Sequence, residues 1–415
     1  MESLRFLMIT TFYPPYHIGG DAVHVELLSK NLAKRGHEVH IVHLLDSFLL
    51  KARNMNEIKV NNSENDDLVR TYPIKTPYNV LTLVKNYCLG KSRQIDTRMT
   101  QIVKDIRPDI IHHHNIAGFG PVILSLKADK TLYTAHDYWL ICPRSDLLFF
   151  GMKPCRCNIG LACQFCLMLH QRPPQLWRFL KNESKILKGI DVIIAPSKFM
   201  KGKLQEKLHE IGLDWMRIEV IYNFVEEPIG DCYPEKINRK NSYFLYVGAL
   251  EKHKGILELV NLFLKYKDLI ENDLIIVGKG SMQSRIVDLI KKNHYEKIHF
   301  IGWVDRNTLS TLYQCAEAVI VPSQWYENCP LVVLEAMSHG IPVIARNFGG
   351  LSEIVSQIDE KLLYTKPEDL INILQNFQES NFDACKIQQI VREKFSVGKF
   401  LMNYVELLGD GITVK

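Results

Sequence analysis

An α/β fold of two parallel-sheet domains is predicted by three observations. Apolar strand-like runs alternate with helical patterns twice over, once from Leu4 and again from Tyr243. Such alternation marks a parallel sheet covered by helices. Each series opens as strand, glycine-bearing loop and helix, which is how a parallel α/β domain begins. Finally, 415 residues is long for one core and comfortable for two.

A charged fraction of 23% and a hydrophobic fraction of 47% are those of a globular protein. The net charge of +5 fits an anionic substrate or membrane surface but demands neither, and nothing points to nucleic acid. No apolar run reaches the roughly 18 residues of a membrane span. Met1–Phe6 enters a strand-like run directly, so no signal peptide is expected. Ten cysteines in a chain of this size then suggest reduced thiols and a cytoplasmic location, with membrane association on the cytoplasmic face left open.

In the first half, Leu4–Thr10 reads as a buried strand. A loop, Tyr13–Gly20, leads to a helix over about 21–35, which Gly36 closes. Gly19 and Gly20 lack side chains where a backbone would approach a ligand closely. His37–Leu44 is the next strand, and residues 46–70 read as a polar surface excursion. Helical patterns follow over about 78–106. A strand then ends in His112-His113-His114, of which only His112 and His114 share a face. Thr131–Ala135 is another strand, and His136-Asp137 lie at its carboxyl end, where parallel sheets bind ligands.

Half of the cysteines fall between Cys142 and Cys166. Cys155-x-Cys157 and Cys163-x-x-Cys166 have the composition of a structural zinc staple, with free thiols or a disulfide as the alternatives. From Gln175 to Leu208 the chain is basic and helical in two pieces around the strand Asp191–Ala195. It reads as a packed helix with a solvated basic face, or as one that lies on anionic headgroups. The stretch Ile218–Pro228 closes the first series, and a polar hinge runs to Asn241.

The second half opens with the strand Tyr243–Gly248 and the loop Ala249-Leu250-Glu251-Lys252-His253-Lys254-Gly255. Strands follow at Leu274–Val277, ending in Gly278-x-Gly280, then at His299–Val304 and Ala318–Ser323. Trp325-Tyr326-Glu327-Asn328-Cys329-Pro330-Leu331 then passes from a polar-aromatic loop into a helix. Pro330 is expected at its first position, and Val333, Leu334 and Met337 on its core face. The free N–H groups and the dipole of that first turn form an anion site, with Glu327 just before it and Glu335 just inside the helix. Phosphates suit the N–H groups, and sugar hydroxyls suit the carboxylates. Phe348-Gly349-Gly350 is a second tight turn, and two helical stretches, the last over about 396–408, finish the chain.

Taken together these motifs resemble glycosyltransferase family 4, the retaining GT-B enzymes, over nearly the whole chain and most strongly over residues 243–355. The resemblance implies two Rossmann-like domains facing a central cleft. The acceptor-binding domain would span 1–225 with the cysteine-rich insert at 141–166, the nucleotide-sugar domain 226–393, and a terminal helix 394–415 would cross back. It implies that His136, Lys254 and Glu327 are catalytic, and that Gly20, Gly248, Lys254, Glu327, Asn328, Cys329, Pro330, Leu331 and Glu335 hold the donor. Glu327 would contact sugar hydroxyls, Glu335 the ribose and Lys254 the diphosphate. The co-substrate would be a nucleotide-diphosphate-sugar carrying UDP or GDP, with no further cofactor. The acceptor would be a glycan or lipid-linked hydroxyl in cell-surface polysaccharide or glycoconjugate synthesis, with peripheral membrane contact possible. The absence of any Asp-x-Asp, used elsewhere to hold the donor diphosphate through a metal, favours metal independence. The chain departs from the family at Ala249, where an arginine usually partners the lysine, and matches the usual Pro-Asn-Gly only at Asn223. Ala249 motivates a rival reading, a catalytically inactive nucleotide-sugar-binding partner. A sugar-nucleotide epimerase of the same two-domain plan is another.

Overall fold

A computed structural model describes residues 3–17, 19–52, 68–76, 79–150, 153–155, 160–179, 187–226 and 242–409. The chain divides into two compact units, one of residues 1–221 with 401–415 and one of residues 222–400. Each is a parallel sheet flanked by helices, the Rossmann-like arrangement the alternating pattern predicts.

In the first unit the strands are β1 (Arg5–Thr10), β2 (Glu38–Leu44), β3 (Arg70–Ile74), β4 (Ile110–His113), β5 (Lys130–Thr134), β8 (Val192–Ala195) and β9 (Ile218–Val220). Among the described residues they form a seven-stranded parallel sheet in the order β3-β2-β1-β4-β5-β8-β9. A small antiparallel pair, β6 (Leu148–Phe149) and β7 (Lys153–Pro154), stands apart. The helices are α1 (Gly20–Ala33), α2 (Leu45–Ala52), α3 (Asn79–Leu89), α4 (Arg93–Ile106), α5 (Leu161–Leu169) and α6 (Lys198–Glu210). Central strands β1 and β4 are buried along nearly their whole length, which explains the continuous apolar run of β1 and encloses His112 and His113 of β4.

The order 3-2-1-4-5 reverses between β1 and β4, so the crevice for a ligand lies beyond their carboxyl ends. The supposed polar excursion at 46–70 contains α2 and the start of β3; residues 53–67 lie outside the described residues. Pro73 disguised β3, but proline is tolerated on an edge strand, and β3 is the edge. Of the basic helical reading of 175–208, the second piece is α6, and the first is corrected only where it is described. Leu176–Phe179 is one 3-10 turn, 180–186 lie outside the described residues, and Arg178 is buried rather than solvated. Its guanidinium lies 5.2 and 4.3 Å from the ring centres of Trp139 and Trp177 and donates to the carbonyls of Trp139 and Leu140.

The second unit contains β10 (Tyr243–Val247), β11 (Asp273–Val277), β12 (Ile298–Gly302), β13 (Ala318–Val321), β14 (Val343–Arg346) and β15 (Leu363–Tyr364), in the order β12-β11-β10-β13-β14-β15 among the described residues. Its helices are α7 (Ile256–Lys265), α8 (Gln283–Asn293), α9 (Arg306–Cys315), α10 (Leu331–Ser338), α11 (Gly350–Val355), α12 (Pro367–Gln375) and α13 (Ala384–Lys394). Here the order reverses between β10 and β13, which places the loops after those two strands at the ligand end. The expectation of reduced thiols meets one exception. Cys385 on α13 is in a disulfide whose partner lies outside the described residues, and the other described cysteines form none.

The last helix, α14 (Val397–Glu406), carries the chain from the second unit back to the first, and its residues from Leu401 onward group with the N-terminal unit. Tyr404 is fully buried there, stacked on His112 and hydrogen-bonded to its Nδ1 at 2.9 Å. Tyr404→Phe keeps the ring and removes the hydroxyl from a buried partner. It is expected to cost about 1–3 kcal/mol, read as a lower urea midpoint at unchanged m-value.

Candidate functional site

The loop after β10 runs into a 3-10 turn at Lys252–Lys254 and then α7. Gly255, at φ 75°, makes that passage possible: a Cβ there would lie 1.9 Å from the carbonyl oxygen of Pro322, just after β13. The two loops are therefore packed backbone to backbone, which puts Lys254 beside Glu327. The Lys254 Nζ to Glu327 Oε1 distance is 2.6 Å. The same oxygen accepts from Ser323 Oγ at 2.7 Å and Trp325 Nε1 at 2.6 Å. Lys254 also lies 4.7 Å over the Trp325 ring. Glu327 is buried, and burial pushes its carboxyl up. The Lys254 charge and the three hydrogen bonds outweigh that and hold it below the ordinary glutamate range. A buried carboxylate is thus kept ionised.

The backbone behind it is fixed from two sides. Gly350 N–H donates to the Glu327 carbonyl at 2.7 Å, and a Cβ on Gly350 would meet the Asn328 carbonyl oxygen at 1.7 Å. The Gly349-Gly350 turn therefore braces the Glu327–Asn328 backbone, a role its sequence did not disclose. Asn223 Nδ2 donates to the Cys329 carbonyl at 2.7 Å, which gives the one residue shared with Pro-Asn-Gly a structural purpose. Cys329 and Asn328 are buried, and burial pushes the Cys329 thiol up to about 12, so it stays protonated.

Helix α10 starts one residue later than expected. Pro330 is extended, at φ −70° and ψ 129°, and serves as the cap, with Leu331 the first helical residue. Val333, Leu334 and Met337 are fully buried, as their spacing predicts. Glu335 is half-buried with Tyr313 donating to its Oε2 at 3.0 Å; burial raises its pKa and that hydroxyl draws it back. Gly248 follows the last residue of β10, and Ala249 beside it is exposed, its carbonyl accepting from Tyr246 at 2.9 Å. The partners Ser323, Trp325, Tyr313 and Asn223 were not singled out from sequence as supports. Only Ser323 and Trp325, flanking Glu327 within four residues, left a local signal.

The other predicted residues, Gly20 and His136, belong to the first unit. Gly20 is the exposed first residue of α1. His136, just beyond β5, shares a hydrogen bond of 3.0 Å between its Nε2 and His114 Nδ1. His112 and His114 do share a face, with ring centres 3.9 Å apart. Burial lowers His24, His112 and His114 well below the usual imidazole value, His113 to about 3 and His136 to about 4, so the group is neutral at pH 7. Asp137 is pushed up to about 6 by burial. It borders a cavity of about 510 Å³ at the ends of β1, β4 and β5, with Thr11, Asn115, Arg144 and Arg172 also on its wall and Leu50 and Val84 on its apolar side.

Among the described residues no three His, Cys, Asp or Glu side chains gather so as to hold a metal ion. Cys142, Cys155, Cys163 and Cys166 border one small cavity, and Cys157 lies outside the described residues. No described helix is long and apolar enough to cross a membrane.

Comparison with known proteins joins these observations. The model of the family described as Glycosyltransferase Family 4 matches residues 18–227, half of the chain, and that of Glycosyl transferases group 1 matches residues 233–390. N-acetyl-alpha-D-glucosaminyl L-malate synthase of Bacillus anthracis is 25% identical over 412 residues, covering 92% of this chain and 94% of that protein. Sucrose-phosphate synthase from Thermosynechococcus elongatus superposes with a TM-score of 0.67 at 19% identity, over 98% of both chains. Anabaena HepE in complex with UDP and glucose superposes with a TM-score of 0.65 at 17% identity, over 98% of this chain and 99% of its own. With two Rossmann-like units and both family models accounted for, the chain belongs to glycosyltransferase family 4 and is a GT-B glycosyltransferase.

Proposed function

We propose that this glycosyltransferase is a retaining, metal-independent hexosyltransferase. It moves a sugar from a UDP- or GDP-linked donor to a hydroxyl of a glycan or lipid-linked acceptor, in the synthesis of cell-surface polysaccharide or glycoconjugate. The observation that carries this is the buried, ionised Glu327 held by Lys254 at 2.6 Å immediately before the N-terminus of α10. The UDP complex of a GT-B neighbour supports a nucleotide donor.

On this reading the second unit holds the donor. Glu327, Asn328, Cys329, Pro330, Leu331, Gly248 and Glu335 surround it, with Glu327 accepting from sugar hydroxyls and Glu335 from the ribose. The bond from the anomeric carbon to phosphate breaks while the acceptor oxygen bonds to the same face, and the acceptor proton passes to the departing phosphate oxygen. Lys254 and the first-turn N–H groups of α10 stabilise the charge that grows on that phosphate, so they act more on the transition state than on the ground state. In the first unit, the cavity beside Asp137 takes the acceptor, Gly20 opens α1 towards the ligand end of its sheet, and His136, neutral at pH 7, offers its carbonyl or ring to the substrate.

Incubation with radiolabelled UDP-, GDP- and ADP-sugars tests the proposal. Slow hydrolysis of one donor supports it, binding without turnover means an inactive partner, and conversion to an epimer means an epimerase. Glu327→Ala is expected to lower transfer at least about a hundredfold with the circular dichroism spectrum unchanged.

Lys254→Met is expected to weaken donor affinity, measured by calorimetry, and to destabilise the fold. The cost is about 2 kcal/mol at neutral pH, below that of a fully buried pair because Lys254 is a quarter exposed. The sign with pH follows from the depressed Glu327 pKa. Its contribution is present above the unfolded value near 4.5 and is lost as pH falls through the folded value. The gap between wild type and variant in urea unfolding should therefore close below about pH 4.5. Ala249→Arg is expected to raise kcat/KM about tenfold by restoring a second cation beside the diphosphate; an unchanged value means that another group already supplies it.

A further inference from the structure

Helix α5, on the cysteine-rich insert, turns its apolar face outward. Leu161, Phe165, Met168 and Leu169 are 74, 60, 51 and 69% exposed, and their spacing of four, three and one residues puts them on one side. The opposite side, with Cys166 and Leu167, is buried. Phe149 on β6 and Leu176 just beyond α5 are further exposed apolar side chains of the same insert region. So dense an apolar surface on a soluble domain marks a place of contact.

We propose that this face of α5 docks on an anionic phospholipid bilayer and brings the acceptor cavity to the membrane surface. Charge identifies the partner. From Leu147 to Asn182 the sequence carries Lys153, Arg156, Arg172, Arg178 and Lys181 and no Asp or Glu; Arg172 is exposed, Arg178 is turned inward, and Arg156 and Lys181 lie outside the described residues. An apolar helical face within a cationic, acid-free segment suits the boundary between acyl chains and anionic headgroups. Continuity fixes the direction: α5 runs straight into Gln171, Arg172 and Pro173, which border the 510 Å³ cavity. Leu50 and Val84, on the same cavity, are themselves exposed, at 39 and 41%. With α5 embedded, a lipid-linked acceptor reaches the cavity from the bilayer with its polar head towards Arg172 and Asp137. The inference takes the cavity's role as acceptor site from the proposed function; the docking itself does not depend on it.

The test uses the full chain, without donor or acceptor, and vesicles of phosphatidylcholine with or without phosphatidylglycerol. Wild type is expected to co-sediment with the anionic vesicles and only weakly with the neutral ones. The combined Leu161→Ser, Phe165→Ser and Leu169→Ser variant is expected to lose at least about tenfold in partitioning, with donor hydrolysis unchanged. Phe165→Trp is expected to add an emission that brominated lipids quench. Three results overturn the proposal: a triple-serine variant that partitions like wild type, a wild type that ignores both kinds of vesicle, or a face that instead holds two copies together, seen as a dimer that the triple variant dissolves. If donors are not turned over but docking is lost in the variant, the transferase reading fails and the docking surface stands.

Discussion

The architecture around Glu327 depends on keeping one carboxylate charged where water has been removed. Burial opposes ionisation of Glu327, and an unpaired charge there would be costly. A single ammonium, one hydroxyl and one indole N–H, all converging on Oε1, reverse the balance. The ammonium would not reach it unless the loops after β10 and β13 were packed backbone to backbone. The need for a charge under burial therefore dictates the backbone, and the backbone dictates the glycines. A methyl group on Gly255 or Gly350 would strike a carbonyl oxygen of the facing segment. The Lys254–Glu327 pair, the Gly349-Gly350 turn and the Asn223 side chain form one brace around five consecutive residues, Glu327 to Leu331, that lead into α10.

Much of this was legible in the sequence, for physical reasons. Strands β1, β10 and β13 are central and doubly covered, so their apolar runs are unbroken. Val333, Leu334 and Met337 follow helical spacing because one face of α10 meets the core. Features of the edges and of long-range pairing were not legible. The edge strand β3 tolerates Pro73, which in a central strand would break the ladder. Arg178 reads as a solvent cation until Trp139, 39 residues earlier, is seen to stack against it. Tyr404 and His112 are 292 residues apart, and Tyr313 and Glu335 are 22 apart, so no local pattern announces either bond. At the cap of α10, the shift of Pro330 by one position reflects its extended ψ, which composition leaves undetermined.

The two units differ in their electrostatic strategy. Around Glu327 the second unit maintains full charges. Around His136 the first unit suppresses them: His24, His112, His114 and His136 are packed together, His113 is buried on the other face of its strand, all five are pushed towards neutrality, and the carboxyl of Asp137 is pushed up rather than down. Neutral imidazoles both donate and accept, so His114 and His136 can bond to each other at 3.0 Å, which two imidazolium rings could not. That contrast matches the chemistry of the two substrates on the proposed reading. A diphosphate is recognised by charge and must be released as charge accumulates on it. An acceptor hydroxyl is recognised by direction, and a cation close to it would lower its nucleophilicity by stabilising the lone pair that has to attack. A first unit whose histidines stay neutral at pH 7 keeps that lone pair available. The cationic residues it does present, Arg144 and Arg172, border the acceptor cavity along with Asp137, where they suit an anionic group carried by the acceptor elsewhere than at its reacting hydroxyl.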